Sequence, residues 1–310
     1  MRDFLYPDRV VIGSDDESAL DLVEEVYRPI LDQSFDPMRR RASDRPTLLR
    51  TTLATAETIK YASNAFLATK ISFINELSGI CEGVGADVVA VAEGIGLDKR
   101  IGPSFLAAGI GWGGSCFGKD VSALMATARE HGKQTRILEA VVDVNRSQLG
   151  LVVEKLQQHL HSLMGRRIAL LGLAFKPGTD DMRDAPSIEI ARRLVAAGAV
   201  VRAHDPVVTS MPDAPGVEMC DSPYDAAVRA DAVVLVTEWP EYQTLDPALL
   251  AQVMRGRLVV DGRNALDRDE FESGGLVHAA FGRPLRWITL TDIDPAIDER
   301  EPAAAIDAWG

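Results

Sequence analysis

One glycine-dense segment, residues 109–120, carries the side chains best suited to covalent chemistry. It reads Gly-Ile-Gly-Trp-Gly-Gly-Ser-Cys-Phe-Gly-Lys-Asp and brings Cys116 to the expected first turn of a helix. Glycines let a backbone approach a ligand closely, and a helix N-terminus lowers the pKa of a thiol placed there. Lys119 would add a nearby cation, and Asp120, four residues after Cys116, would share its helix face. The pattern predicts an activated thiolate beside a carboxylate, as nucleophilic catalysis requires.

The alternative for Cys116 is a buried cysteine after a glycine turn, since free cysteines are often buried. The paired glycines before it and the charged pair after it argue against an apolar core. Cys81 follows an apolar helical pattern and is predicted to be a core residue, whereas Cys220 lies in a loop-like stretch. Three cysteines so far apart give neither a disulfide framework nor a zinc spacing, so we expect a reducing cytosol and no metal site.

A second group of polar residues lies on a long apolar stretch of helical pattern. Lys60 and Asn64 are four residues apart, so a helix places them on one face. Apolar neighbours such as Ile59 and Phe66 predict that Lys60 is partly desolvated or paired with an acid. A lysine in such a setting can also be a surface residue whose stem covers apolar groups. A functional role for Lys60 therefore depends on its pairing with the segment that holds Cys116.

Three cations follow predicted strands in the second half of the chain: Lys176, Arg183 and Arg263. Ligands bind at the carboxyl ends of strands in parallel sheets, and arginine and lysine there favour phosphate groups. Ordinary surface charge explains any one of these residues but is a poorer explanation for all three. The loop at 172–176, Gly-Leu-Ala-Phe-Lys, is not the G-x-G-x-x-G fingerprint of dinucleotide sites.

The elements that must position these residues change in type along the chain. A strand at 9–13, a helix at 15–33 capped by Ser14 or Asp15, and a strand at 48–52 come first. Residues 53–93 read as one helix, apolar on more than one face, which predicts packing against a second copy of the chain. Further helices are expected at 119–131 and 134–163. Short apolar runs then alternate with helical stretches and predict a parallel sheet: strands at 167–173, 200–204, 232–237 and 258–261, with helices at 186–197 and 223–230.

These elements predict an α/β chain of about two domains or more. We expect a first segment at 1–52, a central all-helical domain at 53–163 and a parallel-sheet domain at 164–290. Residues 291–310 contain six acidic residues and one arginine and are expected to be a disordered tail.

Composition excludes some classes of partner. The 310 residues include 33 basic and 46 acidic side chains, for a net charge of −13. Such a chain disfavours nucleic acids and anionic membranes. No apolar run is long enough to span a membrane, and the N-terminus lacks a signal-peptide pattern, so we expect a cytoplasmic protein.

Several of these motifs, in this order, resemble the nucleotide-sugar 6-dehydrogenases, the UDP-glucose/GDP-mannose dehydrogenase family. The resemblance covers nearly the whole chain, and residues 68–76 look like the UDP-glucose branch rather than the GDP-mannose branch. The matching segments are residues 6–13, 57–76, 100–103, 111–120, 172–183 and 261–264.

The resemblance implies a four-electron oxidation of UDP-glucose to UDP-glucuronate by two NAD⁺ in succession. Cys116 would add to the C6 aldehyde as a thiohemiacetal, which a second oxidation converts to a thioester that water hydrolyses. Lys60 and Asn64 would stabilise the oxyanion at C6, and Asp120 would hold the general-base water.

The same resemblance assigns the binding residues. Gly111, Trp112 and Gly113 would line the sugar. Phe175, Lys176 and Arg263 would hold the UDP group. Arg183, with Cys116, would contact NAD, and Arg100 would reach the substrate of the partner in a homodimer.

The chain departs from the family in one respect. The family begins with a complete Rossmann domain carrying a G-x-G-x-x-G turn, and no such fingerprint precedes the helical segment here. Residues 1–52 are therefore expected to be the end of an NAD-binding domain, and an NAD-binding fragment is a possible partner. Two hypotheses stay open: a dehydrogenase that is active in full-length or complemented form, or an inactive UDP-sugar-binding, dimerising module. The sugar nucleotide could also be GDP-mannose or UDP-N-acetylmannosamine.

Overall fold

The computed structural model describes residues 2–36 and 45–285. They divide into a first unit that ends at Phe66 and a second unit that begins at Leu67. Most of the predicted loop at 34–46 and the whole predicted acidic tail at 291–310 lie outside the described residues.

The first unit is built on two parallel strands. Strands β1 (Arg9–Gly13) and β2 (Thr47–Thr51) pair directly. Helices α1 (Arg2–Leu5) and α2 (Glu17–Leu31) accompany them. Val10, Ile12 and Leu20 form a small buried cluster, because alternate strand residues face the helix.

The predicted cap of α2 was wrong. The backbone N–H of Ser18 donates to the Asp16 carboxylate at 2.9 Å, so Asp16 is the cap rather than Ser14 or Asp15. The Ser14 hydroxyl instead accepts a bond from the N–H of Asp16 at 3.1 Å. The helix therefore starts two residues later than predicted.

The predicted single helix at 53–93 is two helices. Helix α3 covers Leu53–Val84 and α4 covers Val88–Gly96. Gly85, with φ of +76°, leaves the helical conformation between them, as glycine does readily at helix ends. The N–H of Ala86 then bonds to the Cys81 carbonyl at 2.9 Å, and the apolar pattern continues across the break without marking it.

Two more helices complete the helical part, as predicted within a few residues. They are α5 (Phe117–Glu130) and α6 (Arg136–Leu160). Buried α6 side chains, Val152 and Leu156, belong to the same apolar cluster as the strands of the sheet described next. The second unit therefore joins helices and sheet through a shared core.

The sheet has six parallel strands, and its fully buried central strands explain the uninterrupted apolar runs in the sequence. Its spatial order is β5-β4-β3-β6-β7-β8, the doubly wound order in which ligands bind near the point of strand reversal. The strands are β3 (Arg167–Leu171), β4 (Val200–His204), β5 (Val217–Met219), β6 (Ala232–Leu235), β7 (Leu258–Asp261) and β8 (Val277–Ala280). The helices are α7 (Pro186–Ala196), α8 (Pro223–Ala227), α9 (Pro247–Val253) and α10 (Arg268–Ser273), with a 3₁₀ turn at Pro240–Thr244.

The two strands at the ends of this order, β5 and β8, were missed. Each is short and contains a polar residue, Glu218 or His278, that interrupts the apolar run. Cys220, predicted to lie in a loop, directly follows β5 and is buried, with its N–H bonded to the Ala203 carbonyl at 2.8 Å. Within residues 2–36 and 45–285, no helix is long and apolar enough to cross a membrane.

Candidate active site

Cys116 occupies the position predicted for it. Its thiol is free and exposed, and the residue is the N-cap of α5. The N–H of Asp120 bonds to the Cys116 carbonyl at 2.9 Å, which begins the helix. The partial positive charge at a helix N-terminus favours the thiolate, so the placement suits a nucleophile.

The two charged residues after Cys116 differ in burial. Asp120 is fully buried, so it does not share the solvent-exposed surface of Cys116. Lys119 is exposed and its ammonium lies 3.6 Å from the Asp120 carboxylate rather than being committed to the thiol. The reason is that the face of the first turn of α5 that carries Asp120 packs inward, while the cap position points out. The proposed general-base role of Asp120 stays a prediction.

The segment that leads to Cys116, residues 108–116, is here called the thiol loop. Helices α3 and α6 hold it from one side through buried asparagines. Asn75 accepts a bond from the N–H of Gly109 at 2.8 Å. Asn145 accepts from the N–H of Trp112 at 2.8 Å and donates to the Trp112 carbonyl at 3.0 Å. The Trp112 indole donates to the hydroxyl of Ser72 at 3.2 Å.

The loop after β7 holds the thiol loop as well. The N–H of Ile110 bonds to the Gly262 carbonyl at 2.9 Å, and the side chain of Asn264 donates to the Ala108 carbonyl at 3.0 Å. The guanidinium of Arg263 donates to the Gly111 carbonyl at 2.8 Å. The Asp-Gly-Arg-Asn motif at 261–264 is therefore a structural support of the thiol loop.

Two glycines of the thiol loop adopt positive φ where space is also short. Gly111 has φ of +95° and Gly114 has φ of +82°. A Cβ at position 114 would lie 2.6 Å from the Phe175 ring. Both conditions disfavour any other residue, so the glycine density of the motif reflects backbone packing as well as ligand access.

Arg263 was predicted to hold a UDP group. Its guanidinium is largely buried, donates to the Val236 carbonyl at 2.7 Å and lies 3.3 Å from the Glu238 carboxylate. Burial lowers the pKa of Arg263, while Glu238 and Asp261 oppose that shift. Much of its donor capacity is thus already used within the protein.

The loop after β3 carries the other predicted cations. Phe175 is half-buried beside Gly114, and the Lys176 ammonium lies 5.3 Å from the centre of the Phe175 ring. Lys176 itself is exposed. The Lys176 ammonium is therefore accessible to a ligand beside the thiol loop.

Arg183 is exposed and pairs with Asp181 at 2.7 Å. The hydrogen bonds from the Arg183 side chain and backbone lower the pKa of the Asp181 carboxyl to about 2. The same pair raises the pKa of Arg183, and the negative charge of a Cys116 thiolate adds to that effect. Arg183 therefore lies in electrostatic reach of the thiol.

A crevice of about 690 Å³ borders the thiol loop between α5, α6 and α7. Trp112, Gly113 and Arg183 line it together with Arg146 and Pro186. A space of this size suits a small organic ligand. Of the predicted binding residues, the crevice brings together Trp112, Gly113 and Arg183.

The first unit has a cavity of its own, of about 880 Å³, against β1 and the start of α3. Lys60 and Asn64 both line it, as their spacing predicts, with Tyr6, Arg9 and Ser63. Lys60 is exposed rather than desolvated, and its ammonium lies 5.0 Å from the centre of the Tyr61 ring. Arg9 donates to the Ser63 hydroxyl at 3.2 Å.

Arg100 lies on an exposed turn that follows α4. Its guanidinium pairs with Asp98 at 2.6 Å. Lys70 of α3 anchors the same turn by donating to the carbonyls of Ile101 at 3.0 Å and Gly102 at 3.2 Å. The guanidinium therefore pairs within its own turn, and its predicted role toward a partner's substrate stays a prediction.

Carboxylates bond to backbone N–H groups at two βα turns where a dinucleotide could bind. The turn after β3 is filled: Asp205 accepts the N–H groups of Leu173 at 2.6 Å and Ala174 at 3.1 Å. The N-terminus of α2 is occupied by the capping carboxylate of Asp16, with Asp15 and Glu17 beside it. The bonded N–H groups at these two turns are therefore not open to the pyrophosphate of a dinucleotide, so neither turn fits NAD. The exposed Lys176, further along the loop after β3, is not engaged by Asp205. In the described part of the chain, no cluster of side chains has metal-ligand geometry.

Sequence reasoning missed the residues that hold the thiol loop: Ser72, Asn75, Asn145 and Asn264. One signal was available, because asparagine is a poor helix former and is seldom buried. Asn75 and Asn145 each stand within apolar helical patterns. A buried asparagine there indicates an amide that bonds to irregular backbone.

Most of the chain is similar in sequence to known proteins. Residues 54–147 match the model for the UDP-glucose/GDP-mannose dehydrogenase family, central domain, and residues 169–268 match that for the same family's UDP binding domain. The chain is 46% identical over 292 residues to a UDP-glucose 6-dehydrogenase of Rhizobium meliloti, covering 92% of this chain and 64% of the relative. It is 44% identical over 286 residues to UDP-glucose 6-dehydrogenase YwqF of Bacillus subtilis, covering 91% and 61%.

Solved structures of similar fold include a protein with nearly the same name as these relatives. A UDP-glucose dehydrogenase structure from Pyrobaculum islandicum matches with a TM-score of 0.75 at 39% identity, covering 87% of this chain and 58% of that one. The chain thus spans about three-fifths of the length of the relatives that it matches.

Proposed function

The chain belongs to the UDP-glucose/GDP-mannose dehydrogenase family, and from that membership we propose that it serves the NAD-dependent oxidation of UDP-glucose to UDP-glucuronate. The observation that carries the proposal is Cys116. It is an exposed thiol at the N-terminus of α5, on a loop fixed from both sides, inside the region that matches the family's central domain. NAD⁺ is the oxidant of the family. In the proposed reaction it accepts electrons from C6 of the sugar.

The chemistry that Cys116 would contribute is covalent capture. Its thiolate attacks the C6 aldehyde, a carbon–sulfur bond forms, and the carbonyl oxygen takes up a proton to give a thiohemiacetal. Capture keeps the aldehyde bound between the two oxidations. The helix N-terminus supports the thiolate, and Arg183 lies in electrostatic reach of it.

The UDP group is proposed to bind beside the loop after β3. Residues 169–268 match the family's UDP binding domain, which includes Phe175, Lys176 and Arg263. Lys176 offers an exposed ammonium to a phosphate, and the Phe175 ring offers a flat apolar surface. The Arg263 guanidinium donates a hydrogen bond to the Gly111 carbonyl. We therefore expect Arg263 to contact the nucleotide and to support the thiol loop at the same time.

A homodimer through α3 is part of the proposal. Phe73, Ile80 and Val84 are 52%, 54% and 74% exposed on one stripe of the helix at spacings of seven and four residues. A stripe of this spacing packs against another helix. A second copy of the chain is the occupant that we propose, and Arg100 would then be able to reach the partner's substrate.

A second candidate function has an observation in its favour. Carboxylates fill the turns after β1 and β3, where a dinucleotide would need open N–H groups. The chain as given would then bind a UDP-sugar and dimerise without oxidising it. Binding and turnover separate the two candidates.

The test is isothermal titration calorimetry of the 310-residue chain with UDP-glucose, beside an assay of NADH formation after addition of NAD⁺. Binding with NADH formation supports the dehydrogenase. Binding without NADH supports the non-oxidising module. Tighter binding of GDP-mannose or UDP-N-acetylmannosamine would reassign the substrate, and no binding of any of the three would contradict both candidates.

A further inference from the structure

We propose that Asn145 is a positioning residue for Cys116: it fixes the backbone at Trp112, so that the thiol loop delivers the thiol to the start of α5. Asn145 touches no reacting group itself. It acts through the short segment of the thiol loop that joins Trp112 to the cysteine. The proposal rests on the proposed role of Cys116, but its geometry can be tested without any dehydrogenase reaction.

The hydrogen bonds define what position 145 must provide. The side-chain oxygen of Asn145 accepts from the Trp112 N–H at 2.8 Å, and its nitrogen donates to the Trp112 carbonyl at 3.0 Å. The amide thus pairs with both backbone groups of one residue, as a neighbouring strand would. Among side chains of this length, only an amide carries a donor and an acceptor together. Aspartate would keep the acceptor alone, and alanine would keep neither.

The burial and the neighbours of Asn145 suit a side chain that bonds to the Trp112 backbone. The residue is 9% exposed in the interior of α6, where a buried amide is costly unless it is fully bonded. A Cβ on Gly111 would fall 2.5 Å from the Asn145 side-chain oxygen. Glycine at 111 and asparagine at 145 therefore form a matched pair, in which the missing side chain makes room for the amide.

The link from Trp112 to the thiol runs through packed aromatic rings. The Trp112 ring stands edge-on to that of Phe117, with centroids 6.0 Å apart. Phe117 is the first residue of α5 and follows Cys116 directly. The Trp112 indole is fixed in turn by the Ser72 hydroxyl, which donates to the Val141 carbonyl at 2.9 Å. Displacement of Trp112 would therefore shift the start of the helix that supports the thiolate.

The experiment compares wild type with Asn145→Ala and Asn145→Asp, and with Ser147→Ala as the matched control. Ser147 is exposed on the same helix, and its hydroxyl bonds to the Val144 carbonyl one turn back. The readouts are the alkylation rate of Cys116 by iodoacetamide at pH 7, and hydrogen exchange of the Trp112 amide by NMR.

We expect Asn145→Ala to slow alkylation of Cys116 at pH 7 by about tenfold, because the thiol loses its alignment with the start of the helix. Asn145→Asp keeps the acceptor, so the Trp112 amide stays protected from exchange while alkylation slows. Ser147→Ala behaves as wild type. Wild-type alkylation rates of Cys116 in both Asn145 variants would overturn the proposal.

Exchange in the wild-type protein gives a test that needs no variant. The Trp112 amide should exchange far more slowly than amides of exposed loops. Exchange as fast as that of an exposed loop would overturn the proposal, even if the variants fail to fold. If Cys116 proves unreactive in the wild type, the proposed function fails, while the exchange data still decide whether Asn145 holds the Trp112 backbone.

Discussion

At the level of single residues, the three cysteines of the chain lie in two kinds of environment. Cys116 is exposed at a helix start, whereas Cys81 and Cys220 are buried. Burial raises the pKa of the Cys220 thiol to about 11, with smaller effects from neighbouring charges. Only a thiolate is a good nucleophile, so the three thiols should differ sharply in reactivity.

We therefore expect iodoacetamide at pH 7 to label Cys116 at least about tenfold faster than either other cysteine, because it alone is exposed at a helix N-terminus. Labelling of Cys220 in the folded protein should rise only as the pH approaches its raised pKa. Peptide mass spectrometry over a time course measures all three sites at once. A Cys116→Ser variant should lose the fast phase, and equal labelling of the three thiols in wild type would refute the activated thiol.

A second expectation for single residues concerns the pair of Asp181 and Arg183. The Asp181 carboxyl should titrate near pH 2 in the folded protein, because Arg183 stabilises its charged form. A depressed pKa means that the pair's favourable contribution is present above the ordinary value of 3.8 and is lost as the pH falls toward 2. Carboxyl chemical shifts measured by NMR report this directly. In an Arg183→Ala variant the midpoint should return toward 3.8, and an unchanged midpoint would show that the pair is not formed.

The sequence predicted where the candidate residues lie along the chain better than it predicted what they contact. Cys116, its glycines and its helix start were predictable, because glycine density and a following helical pattern are local signals. The burial of Asp120 and the use of Arg263 as a loop support were not, since both depend on contacts with distant segments. The supporting amides of Asn75 and Asn145 were likewise visible only once the loop and the helices were brought together.

At the level of helices, strands and loops, the glycines around Cys116 serve two different purposes. Gly114 has positive φ and faces the Phe175 ring. Gly118 lies within α5, where a Cβ would meet only ordinary contacts, the nearest atom being 3.8 Å away. The same substitution at the two sites should therefore have opposite effects.

Gly114→Ala should lower the free energy of unfolding by roughly 2 kcal/mol, because it strains the backbone and collides with the ring. Gly118→Ala should leave stability equal or raise it by up to about 1 kcal/mol, since alanine is the better helix former. Urea denaturation followed by circular dichroism measures both. Equal stability of the two variants would contradict the packing described for the loop.

The elements themselves were largely predictable where the pattern is long and periodic. The central strands appeared close to their predicted bounds, because burial on both faces gives unbroken apolar runs. Helices α6 and α7 did so because their apolar residues recur at helical spacing. The break between α3 and α4 was missed, since apolar residues continue across Gly85 and only the backbone conformation marks the change. The end strands β5 and β8 are too short and polar to stand out.

For the molecule as a whole, the apolar stripe on α3 bears on assembly. If the stripe is the contact between two copies, a charge at its centre should separate them. Ile80→Lys should convert a dimer to a monomer in sedimentation equilibrium, because burying an unpaired charge is costly. Val207→Lys is the matched control, since Val207 is 47% exposed in the loop after β4. A wild-type monomer, or an Ile80→Lys variant that is still dimeric, would argue against this interface.

The thiol of Cys116 and the proposed UDP-sugar site should lie together, and ligand protection tests this placement. The alkylation rate of Cys116 would be measured with rising UDP-glucose, with GDP-mannose as the comparison ligand. We expect saturating UDP-glucose to slow alkylation of Cys116 by about tenfold or more, and GDP-mannose to have a smaller effect, because a bound sugar blocks the nucleophile. An alkylation rate that UDP-glucose leaves unchanged at every concentration would contradict the shared site.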